Sequence, residues 1–385
     1  MIMRFGVVGA RLAGSHLGFL LARSGHEVLL FDGLAEGEKP CGGGVTPKAI
    51  DTVDWFAAHD LPHTVIGTLR FITRDGRTSE MNLHRPIHIF SRGVLDQALR
   101  NDAIAAGCRF IAQRAVRFQE RAGRWAIATA DAVHTVDFLV GADGARSTVR
   151  SIVASSFEAG DLSLALGYYL PGSHHSNSVV TAFQEPEFKG YLWSFPRVDH
   201  SSVGILRWLP DATARDLRRR VDEFVVRHYP AEAGMGRLYA ACIPCLSARR
   251  LSRQHVCGPT WALVGDAAGF ADAITGEGIY YALRSAALLA RAIQAGRPCL
   301  YERYWREEFG PELVRAAELR EGFYSRRLRG RSLAEHAVHL AGSSSKAARL
   351  AGEVISGEKS YDRLLWQILL WCPQLLWQAL RSRSR

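Results

Sequence analysis

Residues 261–283, WALVGDAAGFADAITGEGIYYAL, decide how the rest of the chain is read. Trp261 to Val264 is a short apolar strand that stops at Gly265-Asp266; a turn of small residues follows, and a helix begins near Gly276 and Gly278. A strand that ends at glycine and acid, then passes through glycines into a helix, aims backbone N–H groups and the positive helix end at one spot. That suits an anionic or electron-rich ligand. One such connection is ordinary; what points to a ligand seat is that the chain makes it again.

Phe138 to Val140 is a second parallel-type strand, running into Gly141-Ala142-Asp143-Gly144 and a further helix. At the start of the chain, Met3 to Val8 (MRFGVV) is a buried strand and Gly9 to Gly14 (GARLAG) a turn. Ser15 to Ser24 follows as a helix and Glu27 to Asp32 (EVLLFD) as a second strand. This is a βαβ unit with an acid, Asp32, at the spacing where a carboxylate takes ribose hydroxyls of a dinucleotide. The GxGxxG fingerprint is altered: Arg11 occupies its middle glycine, either adding a charge-assisted phosphate contact or weakening the seat. Three ligand-facing corners far apart in sequence imply one extended ligand.

With 385 residues, 48% of them hydrophobic, the chain is long enough for one large core or for two to three domains. The net charge of +10 sits largely in arginines between Arg315 and Arg331 and in the terminal RSRSR. Without a stacking module or reading helix beside it, that charge does not indicate nucleic acid. Seven scattered cysteines and no signal segment before the first strand are expected of a reduced, cytoplasmic protein. Cys242-Ile-Pro-Cys245 has metal spacing, but no second pair matches it, so no metal site is expected.

Between these corners, Lys39 to Thr46 (KPCGGGVT) is a loop, because three consecutive glycines make poor helix or strand and favour special backbone angles or close ligand approach. Cys41 beside them is a small loop residue or a thiol facing the ligand. Thr46 to Ala58 is expected as a helix, Ile66 to Arg74 with Thr78 to Leu83 as a hairpin about Asp75-Gly76, and Arg92 to Ala106 as a helix. Arg92 stands at that helix start, within reach of a phosphate or on the surface. From Leu162 to Ile243 four strands and a charged helix, Ala212 to His228, form an antiparallel sheet inserted between parts of the first domain. Tyr191, Trp193 and Phe195 alternate there, so the pleat puts three rings on one face, as core or as the wall of an apolar pocket. Beyond Ala290 the chain is helical: Tyr301 to Arg327, Leu333 to Leu340, Ser345 to Ile355, and an uncharged tail, Leu364 to Leu380. That tail, interrupted by Pro373 and followed by arginines, is too short to span a bilayer. It packs as a terminal helix or lies at a membrane interface.

On KPCGGGVTPKA, the Tyr191-x-Trp193-x-Phe195-Pro196 run with Val203-Gly204 after it, and GDAAGFADAITGEGIYYAL, the chain resembles the geranylgeranyl reductase family. That family is a branch of the FAD-dependent aromatic-hydroxylase-type flavoproteins. The resemblance runs from about Met3 to Leu289; Arg11 in place of glycine and Ala273 in place of the usual proline depart from it. It implies that Gly9, Ala10, Arg11 and Gly14 lie at the FAD pyrophosphate and Asp32 at the adenosine ribose, with Arg92 touching FAD. It assigns Asp143 and Gly144 to the second dinucleotide turn, and Gly265 and Asp266 to the ribityl-pyrophosphate portion. Thr275, Gly276, Glu277, Gly278 and Ile279 would lie by the isoalloxazine ring, faced by Cys41, Gly42, Gly43 and Gly44. Tyr191, Trp193 and Phe195 would line a prenyl channel, with Cys41, Tyr191 or a water as proton donor.

The expected architecture is therefore α/β: a Rossmann-type FAD-binding domain from residues 1–60, 88–160 and 255–297, an inserted antiparallel-sheet substrate domain from 61–87 and 161–254, and a helical C-terminal region, 298–385. The expected activity is hydride transfer from reduced flavin to carbon–carbon double bonds of an isoprenoid chain, with NADPH or a reduced ferredoxin as electron donor. A partner electron-transfer protein and peripheral membrane contact through the tail go with it. Two alternatives stay open: a flavin monooxygenase or halogenase, and a prenyl-lipid-binding protein with a degenerate FAD site.

Overall fold

The computed structural model describes residues 2–33, 37–73, 76, 78–172, 178–183, 188–325, 327–328, 331–332, 336 and 344–362. The fold is α/β, with a parallel sheet at one end and a larger sheet at the other. Five parallel strands lie in the order Trp261–Leu263, Phe138–Gly141, Arg4–Val8, Glu27–Phe31, Arg109–Ile111. Their near-continuous apolar runs are what a sheet covered on both faces requires; Phe5, Val7, Leu29, Leu30, Leu139 and Leu263 are fully buried. Helix Leu12–Arg23 packs beside both Arg92–Ala105 and Ile279–Gln294. A three-stranded antiparallel meander, Arg117–Arg121, Arg124–Ala128 and Val133–Val136, lies against the first strand and the strand Phe138–Gly141.

Register brings the corners together. Val8 pairs with Phe31 on one side and Gly141 on the other, and Gly141 pairs with Leu263. The next residues along each strand, Gly9, Asp32, Ala142 and Val264, therefore leave the same carboxyl edge side by side, where ligands of open parallel sheets sit.

The second sheet has eight strands, ordered Arg237–Pro244, Leu162–Pro171, His200–Trp208, Gly190–Pro196, Ser178–Phe183, His63–Ile72, Thr78–Phe90, Gly44–Val45. It is antiparallel throughout except where Ser178–Phe183 pairs in parallel with His63–Ile72. The expected antiparallel sheet is present, with this one parallel pairing added. Hairpins reverse the chain within each inserted segment, but nothing reverses it between two segments contributed from distant parts of the sequence. One face of the sheet is covered by helix Ala214–His228, through Leu217, Val221 and Phe224 against Leu166, Val203 and Ile205. The other face meets the C-terminal helices Gly310–Ser325 and Ser345–Ile355, with Ala316, Tyr324 and Tyr361 packed among Leu69, Met81 and Val179.

Several boundaries differ from expectation. The first helix begins at Leu12 rather than Ser15, because Arg11 takes the cap position and Gly14 lets the first turn settle directly on the preceding strand end. The expected Thr46–Ala58 helix is a short helix, Pro47–Thr52, capped by the Thr46 side chain. Val53, extended at φ −113 and ψ 96, separates it from a 3-10 turn, Asp54–Ala58. Tyr301–Arg327 divides into Leu300–Glu308 and Gly310–Ser325, since Pro311 can begin a helix but cannot continue one. The hairpin strands run further than expected, to Phe90. The Leu364–Leu380 tail lies outside the described residues, as does Leu333–Leu340 apart from His336. Among the described residues, no helix is long and apolar enough to cross a membrane.

Candidate active site

At the carboxyl edge of the parallel sheet the turns are tied to one another through the backbone. Gly9 N–H donates to Phe31 at 2.7 Å, Ala142 N–H to Val8 at 2.7 Å, and Val264 N–H to Gly141 at 2.9 Å. Asp32 accepts the Ala10 N–H at 2.9 Å, which fixes its carboxylate at the end of its strand. A Cβ on Gly14 would sit 1.8 Å from the Gly9 carbonyl oxygen, so only glycine allows the helix to press onto this turn. Gly14, Ala10 and Gly265 thus lie behind the surface, whereas Gly9, Arg11, Asp32, Asp143, Gly144 and Asp266 face a common cavity.

The charged residues of this edge hold one another. Arg92 pairs with Asp96 at 2.8 Å, fully inside the protein, and Arg11 reaches the second oxygen of the same carboxylate at 3.1 Å. The arginine that replaces the fingerprint glycine therefore reaches across to the helix Arg92–Ala105. Asp266 is paired with Lys39 at 2.7 Å. Asp143 accepts the Ser147 hydroxyl, Thr148 N–H at 2.7 Å and Val149 N–H at 3.2 Å, capping the helix Thr148–Val153. Burial raises its pKa, opposed by these donors.

The loop Cys41–Gly44 crosses over the ring of Phe195. The Phe195 ring lies where Cβ atoms on Gly42 or Gly44 would meet it at 3.2 Å, and Gly43, at φ +88, has no space for one, with the Phe90 carbonyl oxygen 2.2 Å away. Gly43 is thus required both by close approach and by its backbone angle, while a side chain at Gly42 or Gly44 would press on the Phe195 ring. Gly204 plays the same part for Trp193, whose ring carbon lies 2.5 Å from where a Cβ would be. Tyr191, Trp193 and Phe195 share one face of the sheet and all three face the cavity. The Tyr191 hydroxyl donates to the Thr275 carbonyl, and burial, with Asp272 nearby, pushes its pKa up. Its proton is committed to that carbonyl. Cys41 Sγ accepts the Gly43 N–H at 3.3 Å.

The turn before helix Ile279–Gln294 is organised by Asp272. Its carboxylate accepts Ile274 N–H at 2.8 Å, Thr275 N–H at 2.7 Å and the Tyr361 hydroxyl at 3.0 Å. Burial raises this acid too. Gly276 N–H donates to the Asp272 carbonyl and Asp272 N–H to that of Glu277, closing the turn so that Thr275, Gly276, Glu277, Gly278 and Ile279 line the cavity together. Glu277 accepts the Thr46 hydroxyl at 3.2 Å. Withdrawal from water, then the negative charge of Asp272, push its carboxyl up to about 7, against the pull of Lys48 and Thr46.

All of this borders one cavity of ≈ 1800 Å³, beyond the range of roughly 300–1,000 Å³ that holds a single small ligand. One end is the cationic, glycine-rich strand edge, with Arg11, Lys39 and Arg146. The other is apolar, walled by Leu69, Phe71, Val179, Leu319 and Val354. A dinucleotide fits the first end: an acid at the end of the second strand, cations for a pyrophosphate, and two helix starts turned to the same edge. Sequence reasoning missed Glu38, Lys39, Asp272, Arg197 and Tyr361. Asp272, two residues before an N–H it accepts, carries the local Asx-turn pattern that could have revealed it; the others have no local signal. Cys242 and Cys245 are free thiols on or beside the sheet's outermost strand, Cys242 at the cavity wall.

Comparison with known proteins bears on this geometry. A family model described as FAD binding domain matches residues 3–296. The geranylgeranyl diphosphate reductase of Synechocystis sp. is 28% identical, covering 77% of this chain and 76% of its own. The digeranylgeranylglycerophospholipid reductase of Methanothrix thermoacetophila is 27% identical, covering 82% and 86%. Among solved structures, a geranylgeranyl bacteriochlorophyll reductase-like protein from Thermoplasma acidophilum superposes with a TM-score of 0.77 at 18% identity, over 95% of this chain and 98% of that one. A flavin-dependent halogenase from Xanthomonas campestris shares the fold at a TM-score of 0.68 and 14% identity, over 85% and 79%.

Proposed function

Because this chain belongs to the FAD binding domain family, and resembles the geranylgeranyl reductases within it, we propose that it is an FAD-dependent reductase of carbon–carbon double bonds in an isoprenoid chain. The observation that carries the reading is continuity: a single cavity leads from the dinucleotide-type strand edge, past the turn Thr275–Ile279, into an apolar chamber faced by Tyr191, Trp193 and Phe195. A polar cofactor seat that opens onto a greasy chamber has the shape needed to bring a long hydrocarbon to a redox centre.

In this reading Gly9, Ala10, Arg11 and Gly14 form the pyrophosphate turn, with Lys39 supporting it through Asp266, and Asp32 takes the ribose. Asp143, Gly144, Gly265 and Asp266 complete the seat, with Arg92 shaping it through Asp96. Reduced FAD, when bound, supplies a hydride. The chain's own residues do the remaining work. Gly42 to Gly44 and Gly276 to Ile279 bring backbone close to the reacting region, and the start of helix Ile279–Gln294 favours negative charge there. The three rings exclude water and hold the prenyl chain. Cys41 or a water holds the proton at that point in preference to Tyr191, whose hydroxyl is already donated to the Thr275 carbonyl. Residues 1–60, 88–160 and 255–297 serve the cofactor and residues 61–87 and 161–254 the substrate, while in the helical region that begins at residue 298 the helices Gly310–Ser325 and Ser345–Ile355 close the chamber. Electrons arrive from NADPH or a reduced ferredoxin, and the tail beyond Leu364 supplies membrane contact.

The test is an anaerobic incubation of reduced, FAD-loaded protein with geranylgeranyl-bearing substrates, followed by mass analysis. A product heavier by two hydrogens per reduced bond supports the proposal. A product that forms only with oxygen and gains an oxygen or halogen atom refutes it in favour of the hydroxylase or halogenase reading. A protein that takes up no FAD favours a lipid carrier.

A further inference from the structure

We propose that Arg197 is a positioning residue for the Cys41–Gly44 loop, transmitting the geometry of the large sheet to the backbone that faces the cavity. Arg197 follows Pro196 at the end of strand Gly190–Pro196, and its side chain is only 1% exposed. One amino group, Nη2, donates to the Cys41 carbonyl at 2.6 Å and reaches the Gly42 carbonyl at 3.4 Å. The other, Nη1, is ion-paired with Glu38, just before the loop, and donates to His200 Nε2 at 3.1 Å. His200 can accept there because its Nδ1 side faces Asp199 at 2.7 Å. Glu38 also accepts the backbone N–H of Arg92 at 2.8 Å, and Ser202 Oγ donates to the same Cys41 carbonyl at 3.0 Å. One buried guanidinium thus ties together the segment before the loop, two carbonyls of the loop and the turn joining two sheet strands, while Glu38 ties the same node to the start of helix Arg92–Ala105.

The need for such a clamp follows from the loop's composition. Three glycines lose more conformational entropy on ordering than any other triplet, and Phe195 beneath them offers contact but no hydrogen bond. Carbonyls of Cys41 and Gly42 turned inward require donors, since an unpaired buried carbonyl costs as much as a lost hydrogen bond. Only a planar fork can reach two carbonyls and a carboxylate at once; a lysine ammonium can replace the charge and part of the contact but not the whole geometry. Glu38 compensates the buried charge that this arrangement demands.

The test compares Arg197→Met, Arg197→Lys and the charge-balanced pair Glu38→Gln with Arg197→Met, which keeps the interior free of an unpaired ion should the single Met variant fail to fold. Hydrogen exchange of the peptide covering residues 38–47 is measured on cofactor-free protein, alongside kcat and KM for alkene reduction. Only the second measurement rests on the reductase reading. We expect exchange in this peptide to accelerate at least tenfold in the Met variants with the other sheet strands unchanged. kcat should fall about 100-fold, the loss that accompanies a misplacement of about 1 Å, with KM within threefold. Arg197→Lys should recover at least a tenth of wild-type kcat. Loop exchange in the double variant within twofold of wild type would overturn the proposal, as would a protection loss spread evenly over the large sheet or a Lys variant no better than Met. If the wild-type protein reduces no alkene, the exchange result alone decides on the clamp, and the failure belongs to the reductase reading.

Discussion

Adding one methyl group at Gly43 tests the loop geometry most sharply. Gly43 sits at φ +88, where an L-residue costs about 1–2 kcal/mol relative to the right-handed region. Its new Cβ would also stand 2.2 Å from the Phe90 carbonyl oxygen, a backbone atom that cannot rotate away. Reaching ordinary contact requires the loop or the strand Thr78–Phe90 to recede by about 1 Å, and a shift of that size at a reacting centre costs about 100-fold in rate. Gly25 supplies the control: at φ +82 with nothing within 4 Å of its Cβ, Gly25→Ala carries the backbone term alone, far from the cavity. Thermal midpoints of the two variants should both fall, Gly43→Ala further. Single-turnover reduction of a prenyl substrate should fall about 100-fold in Gly43→Ala and stay within twofold of wild type in Gly25→Ala. If Gly43→Ala loses no more stability and no more rate than Gly25→Ala, the tight approach of loop and strand is wrong.

Other perturbations probe the remaining parts of the site. Glu277, its carboxyl raised from an ordinary 4.5 to about 7, keeps its proton in the folded protein while the unfolded chain releases it. Stability therefore declines as pH rises from 4.5 through 7, and cofactor-free Glu277→Gln, which cannot ionise, should lack that decline when thermal midpoints are compared between pH 5 and 8. Tyr361→Phe removes a donor 3.0 Å from the buried Asp272 carboxylate and should cost about 1–3 kcal/mol, read from the urea midpoint. Val179, buried at 3% exposure in the apolar chamber, offers a steric test. Val179→Phe should raise KM for a geranylgeranyl substrate about tenfold while FAD titration, followed by absorbance, is unchanged, in keeping with a pocket contact worth about 1–3 kcal/mol.

What could be read from sequence was whatever local periodicity encodes. A strand closing on glycine and a nearby acid looks alike at Gly141 and Gly265 because the turn chemistry lies within a few residues. The rings of Tyr191, Trp193 and Phe195 share a face because strand side chains alternate with period two. The division of the helix at Pro311 is legible there too, since proline can begin a helix but not continue one. Tertiary structure decided what those corners hold on to. Lys39 meets Asp266 across 227 residues, Arg197 grips the Cys41 carbonyl across 156, and Tyr361 finds Asp272 across 89. Arg11, which broke a familiar pattern, proved to lean on Asp96 of another helix. Such partners are chosen by how separate elements pack, and packing leaves no repeat in the chain. The order of residues alone thus announced a nucleotide seat and an aromatic wall. That seat and wall belong to one cavity, with a buried arginine beneath the loop over the wall, only because strand register and the closing helices bring them together.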